Sequence, residues 1–308
     1  MLWALCCVPK VHAVVLSTGV LPLMLEAGTA FIGRSDELTT SICAVLGLLV
    51  CWPANARALD SMSLMPYLNS VVAAALEVFA LTPTATGMDD SESDEDNPAS
   101  ALGTTHDIFD AVATVVAGLT RHARGHYTLA GRGIPLVLQL AVSPSTSAAI
   151  CGLQSLCAVL QSSLGACRAL LRHGGFHLAI CGNEQREGAD TIAERRLCIA
   201  TSLGALAVHR EGRALLGRTE TIECMLCCTR WAMSGGSEYI RQRNLAAKSC
   251  ALAFWGFSAE VLARARRDAS AWPPSPGLTR IISCSCLSCQ CRRRICTSWK
   301  LTHSVSLS

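Results

Sequence analysis

Apolar residues along this chain return again and again at the spacing of one helix face. Ile150, Leu153, Cys157 and Leu160 form one such stripe. Comparable runs of Leu, Val, Ile, Ala and Cys occupy Glu37–Trp52, His106–His122, Ser145–Gln161, Ile192–His209 and Glu238–Phe257. A recurrence near 3.6 residues predicts five helices there. Strand-forming runs of Val, Ile, Thr and Tyr are few, while Ala and Leu are abundant, so the expected class is all-α. A single apolar stripe cannot bury itself, and neighbouring helices must share a core.

A second pattern sits between these helices: two apolar residues, a turn with Gly or small polar residues, then another apolar run. It occurs as Val14-Val15-Leu16-Ser17-Thr18-Gly19-Val20-Leu21-Pro22, as Ala58-Leu59-Asp60-Ser61-Met62-Ser63-Leu64-Met65-Pro66 and as Leu129-Ala130-Gly131-Arg132-Gly133-Ile134-Pro135. Two further copies lack the proline, at Leu170–Phe176 and Leu215–Ile222. Pro22 to Pro66 is 44 residues, Gly133 to Gly175 is 42 and Leu171 to Leu216 is 45. Pro66 to Pro135 is 69, but an acidic stretch at 84–105 lies inside that interval, and without it the period returns. Each unit reads as a short helix, a turn, a second helix begun by Gly or Pro, and a longer third helix; Pro suits a first turn because its missing N–H would go unpaired there. Five units are expected, roughly 8–52, 53–122, 123–164, 165–209 and 210–257, with a final separate helix to about 270. Leu2–Cys7 reads as the end of another third helix.

Gly133-Ile134-Pro135-Leu136-Val137-Leu138-Gln139-Leu140 and the Ala/Leu-rich third helices resemble the armadillo repeat family over roughly residues 8–270. The resemblance implies an α-α superhelix, a solenoid of about five three-helix repeats, whose third helices line a groove that binds a partner protein or an extended peptide. Two-helix HEAT repeats are the alternative. One departure matters. Armadillo proteins that clamp a peptide backbone commonly carry Asn and Trp in the third helix, whereas the aligned positions here are Leu48, Gly118, Val159, Ala205 and Ala251, with Ala117 where a Trp would stand. An asparagine ladder is absent, and the expected groove is apolar.

Charge refines this picture. Residues 84–105 carry six acids and no base, residues 271–308 five bases and no acid, and the part between is net positive. The run Met88-Asp89-Asp90-Ser91-Glu92-Ser93-Asp94-Glu95-Asp96 has too little apolar content to fold alone and reads as a disordered insert; Ser91 and Ser93, each just before an acid, suit an acidophilic kinase. Aligning the fourth and fifth third helices brings Arg195 onto Arg241, with Arg196, Arg243 and Lys248 nearby. These predict a basic strip for an acidic ligand, although cations at helix starts oppose the helix dipole. Nothing in a formal charge of +3 points to nucleic acid.

Of 18 cysteines, thirteen are scattered through apolar helical stretches and read as buried reduced thiols. The others crowd a tail, 271–308, that breaks from the repeat pattern after Pro273, Pro274 and Pro276. Cys284, Cys286, Cys289 and Cys291 are weak candidates for zinc or for lipidation beside Arg292–Arg294, against a plain disordered tail. The pairs His122/His126 and His173/His177 have an i, i+4 spacing but no further ligand at metal spacing. No catalytic motif or cofactor loop occurs, so no enzyme activity and no cofactor are expected. The longest uninterrupted apolar run, Ile42–Trp52, is eleven residues, short of a membrane span. The cytosol or nucleus is the expected location.

Overall fold

A computed structural model describes residues 2–55, 58–59, 62, 64–81, 98–180, 189–234 and 239–270. Every regular element among them is helical. The helices are α1 Leu2–Cys6, α2 His12–Ser17, α3 Val20–Ala30, α4 Asp36–Val50, α5 Leu64–Leu81, α6 Pro98–Thr120, α7 Ala123–Thr128, α8 Ile134–Ala141 and α9 Thr146–Ser162. They continue as α10 Leu164–His173, α11 Phe176–Ile180, α12 Ala189–Val208, α13 Arg210–Leu216, α14 Thr219–Met233 and α15 Ile240–Ser270. A π-helical turn, Leu129–Gly133, joins α7 to α8. The chain divides into one unit at Met1–Glu260 and a second at Val261–Ser308. Of the second, only the end of α15 is described.

Local sequence explains the helix starts. Ser35 caps α4 by accepting the Leu38 N–H at 3.3 Å, and Asp36 and Glu37 fill the first turn, where the helix dipole favours negative charge. Ser145 caps α9 through the Ala148 N–H, and Pro135 stands in the first turn of α8. Along α4, Ile42, Cys43, Leu46, Leu49 and Val50 turn inward, and Phe109, Leu119, Leu136, Leu156 and Leu203 are fully buried in the helices that follow. Each contributes on the order of 1.5–3 kcal/mol by leaving water.

Packing in the first unit follows chain order in three sets. The long helices α4, α6, α9 and α12 pack each on the next. At the end of this set α15 approaches α12 so closely that a Cβ on Gly204 would lie 3.0 Å from the Ser249 carbonyl oxygen. The second helices behave alike: α3 packs on α5, α5 on α8, α8 on α11 and α11 on α14. Among the short helices, α10 packs on the π turn and on α13. The first helix, α1, rests on α4.

Two boundaries differ from expectation. Helix α6 begins at Pro98, so residues 98–105 belong to a helix rather than to the insert assigned to 84–105. All six acids of that stretch lie at or before Asp96, and the segment Pro98–Thr105 is uncharged with a proline at its start. At the other end, α15 runs unbroken to Ser270, merging the fifth third helix with the separate final helix expected after Phe257. No Gly or Pro follows Gly256 before Ser270, and Ala, Leu, Glu and Arg sustain the helix. The acidic run 88–96 and the tail 271–308 lie outside the described residues.

By length and composition the stretch Ile240–Arg264 of α15 also meets the requirement for a membrane span, with mean hydropathy 1.2 and 33% of it buried; the bent pair Pro9–Ser17 and Val20–Ala30 does so only if taken as one. The first passes because its small apolar residues after Arg243 are interrupted by charge only at Lys248 and Glu260 before Arg264, and an uninterrupted-run criterion stops at each.

Candidate functional site

The N-terminal halves of the long helices share one edge, and carboxylates gather there. Asp110 of α6 accepts the Ser145 hydroxyl at 2.5 Å and also that of Ser147, tying α6 to the start of α9. Gln154 of α9 donates to Glu194 of α12 at 2.7 Å, and the Tyr239 hydroxyl donates to Asp190 of α12 just before α15 begins. Three successive helix pairs are thus bridged by one polar link or more. The pair α4/α6 carries no such bridge among the described residues. The first two turns of α4 and the middle of α6 flank a cleft of about 570 Å³ whose walls include Asp36, Glu37 and Ser41 from α4 and Asp107, Asp110 and Thr114 from α6.

This cleft is a wedge. At the other end of the same two helices a Cβ on Gly118 would come within 2.6 Å of the Val50 side chain, and His122 Nε2 donates to the Val50 carbonyl at 3.0 Å. Four carboxylates in a half-open cleft with no facing cation repel one another and attract positive charge, an attraction that added salt screens.

The predicted basic strip does not form. Arg195 is 3% exposed and belongs to the interior, Arg196 and Arg243 are half-buried, and only Arg241 and Lys248 are exposed. Arg243 donates to the Ser234 carbonyl at 2.9 Å and lies over the Trp231 ring, 6.0 Å from its centroid, so it serves the α14/α15 junction. The physical reason is the one already visible in the chain: the first turn of a helix prefers acids, and the outward edge carries them. The groove positions are corrected as well. Gly118, Val159 and Ala205 are buried, Leu48 and Ala117 half-buried, and Ala251 alone is exposed. Outward-facing residues are Glu37, Asp107, Asp110, Thr114, Gln154 and Glu194, so the third-helix edge is polar and acidic rather than apolar. One position of misregister turns a helix by about 100°, enough to exchange core for surface.

The histidine pair 122/126 holds a corner instead of a metal. His122 caps α7 by accepting the Gly125 N–H on Nδ1 at 2.9 Å while its Nε2 serves Val50, and His126 Nε2 donates to the Thr120 carbonyl at 2.7 Å. Gly125 is required because a Cβ there would strike the Leu119 carbonyl oxygen. Gly212 meets the Leu206 carbonyl in the same way, three residues after His209. His-x-x-Gly therefore recurs at 122–125 and 209–212, 87 residues or two periods apart, a repeat signal present in the chain that the sequence reading missed. His12, buried, bridges Cys6 and Asn55: Nε2 donates to the Cys6 carbonyl at 2.8 Å and Nδ1 accepts from Asn55 Nδ2 at 3.1 Å.

Seven thiols of the helical region are held toward their neutral form. Burial pushes Cys43, Cys157 and Cys167 up to about 12 and raises Cys6, Cys151, Cys198 and Cys250. Cys224 donates to the Ile180 carbonyl at 3.3 Å, whereas Cys227 of the same helix is exposed. A protonated thiol is a poor nucleophile and a poor metal ligand. Ser91, Ser93, Cys284, Cys286, Cys289 and Cys291 lie outside the described residues. No protein-family model matches the chain, and no curated protein matches it either.

Proposed function

We propose that this protein is a non-enzymatic binding scaffold, an armadillo-like solenoid of about five three-helix repeats that holds a segment of a partner protein along its third-helix edge. The order of packing supports the repeat reading: the second and third helices each stack on their counterparts, α10 does so on α13 among the first helices, and residues forming them recur about every 44 positions. The observation that carries the binding reading is the α4/α6 cleft, where, among the described residues, Asp36, Glu37 and Asp107 line a cleft instead of bridging helices and Asp110 does both. Its charge selects a basic segment, with Lys or Arg side chains opposite Asp36, Glu37 and Asp107. This replaces the acidic partner expected from the arginines of α12 and α15.

The test is a binding titration of the full chain with a fluorescent Lys/Arg-rich peptide and a Glu-rich control. The basic peptide should bind at low salt and weaken steadily as ionic strength rises. Reversal of two rim charges, Asp36→Lys with Glu37→Lys, should reduce affinity at least about tenfold; because both acids sit in the first turn of α4 the unfolding temperature also falls slightly, so binding is read well below it. Equal binding of both peptides, or an affinity unmoved by the double reversal, would overturn the assignment of the cleft.

A further inference from the structure

A second cleft has the opposite character. It measures about 410 Å³ and lies between the start of α5 and the α7–π-turn segment. Its floor includes Met65 and Pro66, and its far wall is formed by Arg124, Tyr127, Gly131 and Arg132. These four fall at i, i+3, i+7 and i+8, so they share one face of the helical segment. Its described lining carries two exposed guanidinium groups and no carboxylate, where the α4/α6 cleft carries four carboxylates and no cation. Tyr127 is 79% exposed, an unusual position for a large aromatic side chain with apolar surface beside it. Gly131 contributes no side chain, and nothing lies within 4 Å of where its Cβ would be, which leaves open space beside Arg132, the next residue in the chain.

We propose that this cleft binds an aryl phosphate, presented as a phosphotyrosine on a partner segment. The guanidinium fork of Arg132, with Arg124 beside it, matches the phosphate oxygens in geometry and charge. Tyr127 offers its face to the aromatic ring, and Met65 with Pro66 gives the ring an apolar bed. The cleft volume accommodates the ring as well as the phosphate. A phosphoserine places its phosphate too close to the backbone to fill the apolar floor, so the site selects for the aryl ester. The cleft shares no residue with the α4/α6 wedge, so the two sites stand or fall separately.

The full chain is titrated with phenyl phosphate, inorganic phosphate and a phosphotyrosine peptide with its unphosphorylated twin, following amide shifts around Gly131 and Arg132 by NMR. Phenyl phosphate should bind about tenfold more tightly than inorganic phosphate, and the phosphorylated peptide should bind where its twin does not. Arg132→Gln should weaken phenyl phosphate by about tenfold. Gly131→Met, whose side chain enters open space, should block binding while leaving the unfolding temperature intact. Equal affinity for phenyl and inorganic phosphate would reduce the site to bare charge and overturn the proposal, as would binding that survives Gly131→Met. Asp36→Lys should leave all of these affinities unchanged.

Discussion

Two stretches of one edge use the same residue type for different ends. From α6 to α15, carboxylates of the long helices are engaged: Asp110 holds Ser145 and Ser147, Glu194 holds Gln154, and Asp190 holds Tyr239. Between α4 and α6, Asp36, Glu37 and Asp107 face a cleft with no helix-to-helix bridge among the described residues. The helix dipole favours Asp36 and Glu37 in the first turn of α4 but does not reach Asp107 and Asp110 in the middle of α6, so it does not make the difference. The difference lies in what the next helix offers: Ser, Gln and Tyr opposite the engaged carboxylates, another acid opposite the others. A carboxylate met by a hydroxyl or amide becomes part of the fold, and one met by its own kind stays in the open cleft.

The strongest way to break this comparison is at the corners that both stretches share. Gly125→Ala and Gly212→Ala each drive a methyl group into the carbonyl oxygen of the preceding long helix, at Leu119 and Leu206 respectively. Each should cost roughly 3 kcal/mol or more, at the upper end of overpacking, read by chemical denaturation. A corner that tolerates alanine would show that the two corners are not built by one rule.

The next effect sharpens the contrast within the edge. Asp110→Ala strands two hydroxyls and should lower stability by about 1–3 kcal/mol. Asp36→Ala, at the open cleft, should leave stability within about 0.5 kcal/mol and change only the affinity for a basic peptide. Equal destabilisation by both substitutions would mean that the open carboxylates are structural too.

Both stretches rest on buried thiols, which gives a pH test of their common core. Cys43 lies in α4, Cys157 in α9 and Cys167 in α10, all raised by burial from about 9 to about 12. A thiol that stays protonated when folded but ionises when unfolded gives stability that is intact below pH 9 and falls as pH rises toward 12. The loss is at most about 1.4 kcal/mol per pH unit for each thiol. Hydrogen exchange between pH 8 and 10, corrected for its intrinsic pH dependence, should show protection falling in α4 and α9 together. A loss confined to one of them would separate the two regions, and none in either would refute the burial.

The smallest effect belongs to the first helices. Arg168 of α10 donates to Glu211 of α13 at 2.9 Å, largely in solvent. The Glu211 carboxyl is held below its usual range first by its own backbone N–H and then by Arg168. Its contribution is present above the ordinary carboxylate pKa and fades as the pH falls through it. Arg168→Ala should shift the unfolding temperature by no more than the scatter of the measurement at neutral pH, because exposed pairs are screened and entropically costly.

Much of this architecture is written in the chain. The stripe Ile150, Leu153, Cys157, Leu160 places a helix within a residue or two of Thr146–Ser162, and the spacing of Pro22, Pro66 and Gly133 brings the starts of the second helices into step. Periodicity survives because helix formation and burial are local rules, acting on residues three and four apart. The charged edge was legible only in part: Ser35-Asp36-Glu37 is a readable helix start, but the arginines of α12 and α15 looked like a strip until packing turned Arg195 inward. Rotation about the helix axis is set by neighbouring side chains, such as the approach of Ser249 to Gly204, and a period alone leaves that angle undetermined. The wedge between α4 and α6 and the arginine cleft at the start of α5 are likewise relations between distant segments. They exist because helices far apart in the chain splay at one end and close at the other, a geometry settled by the fit of whole surfaces rather than by any stretch of residues.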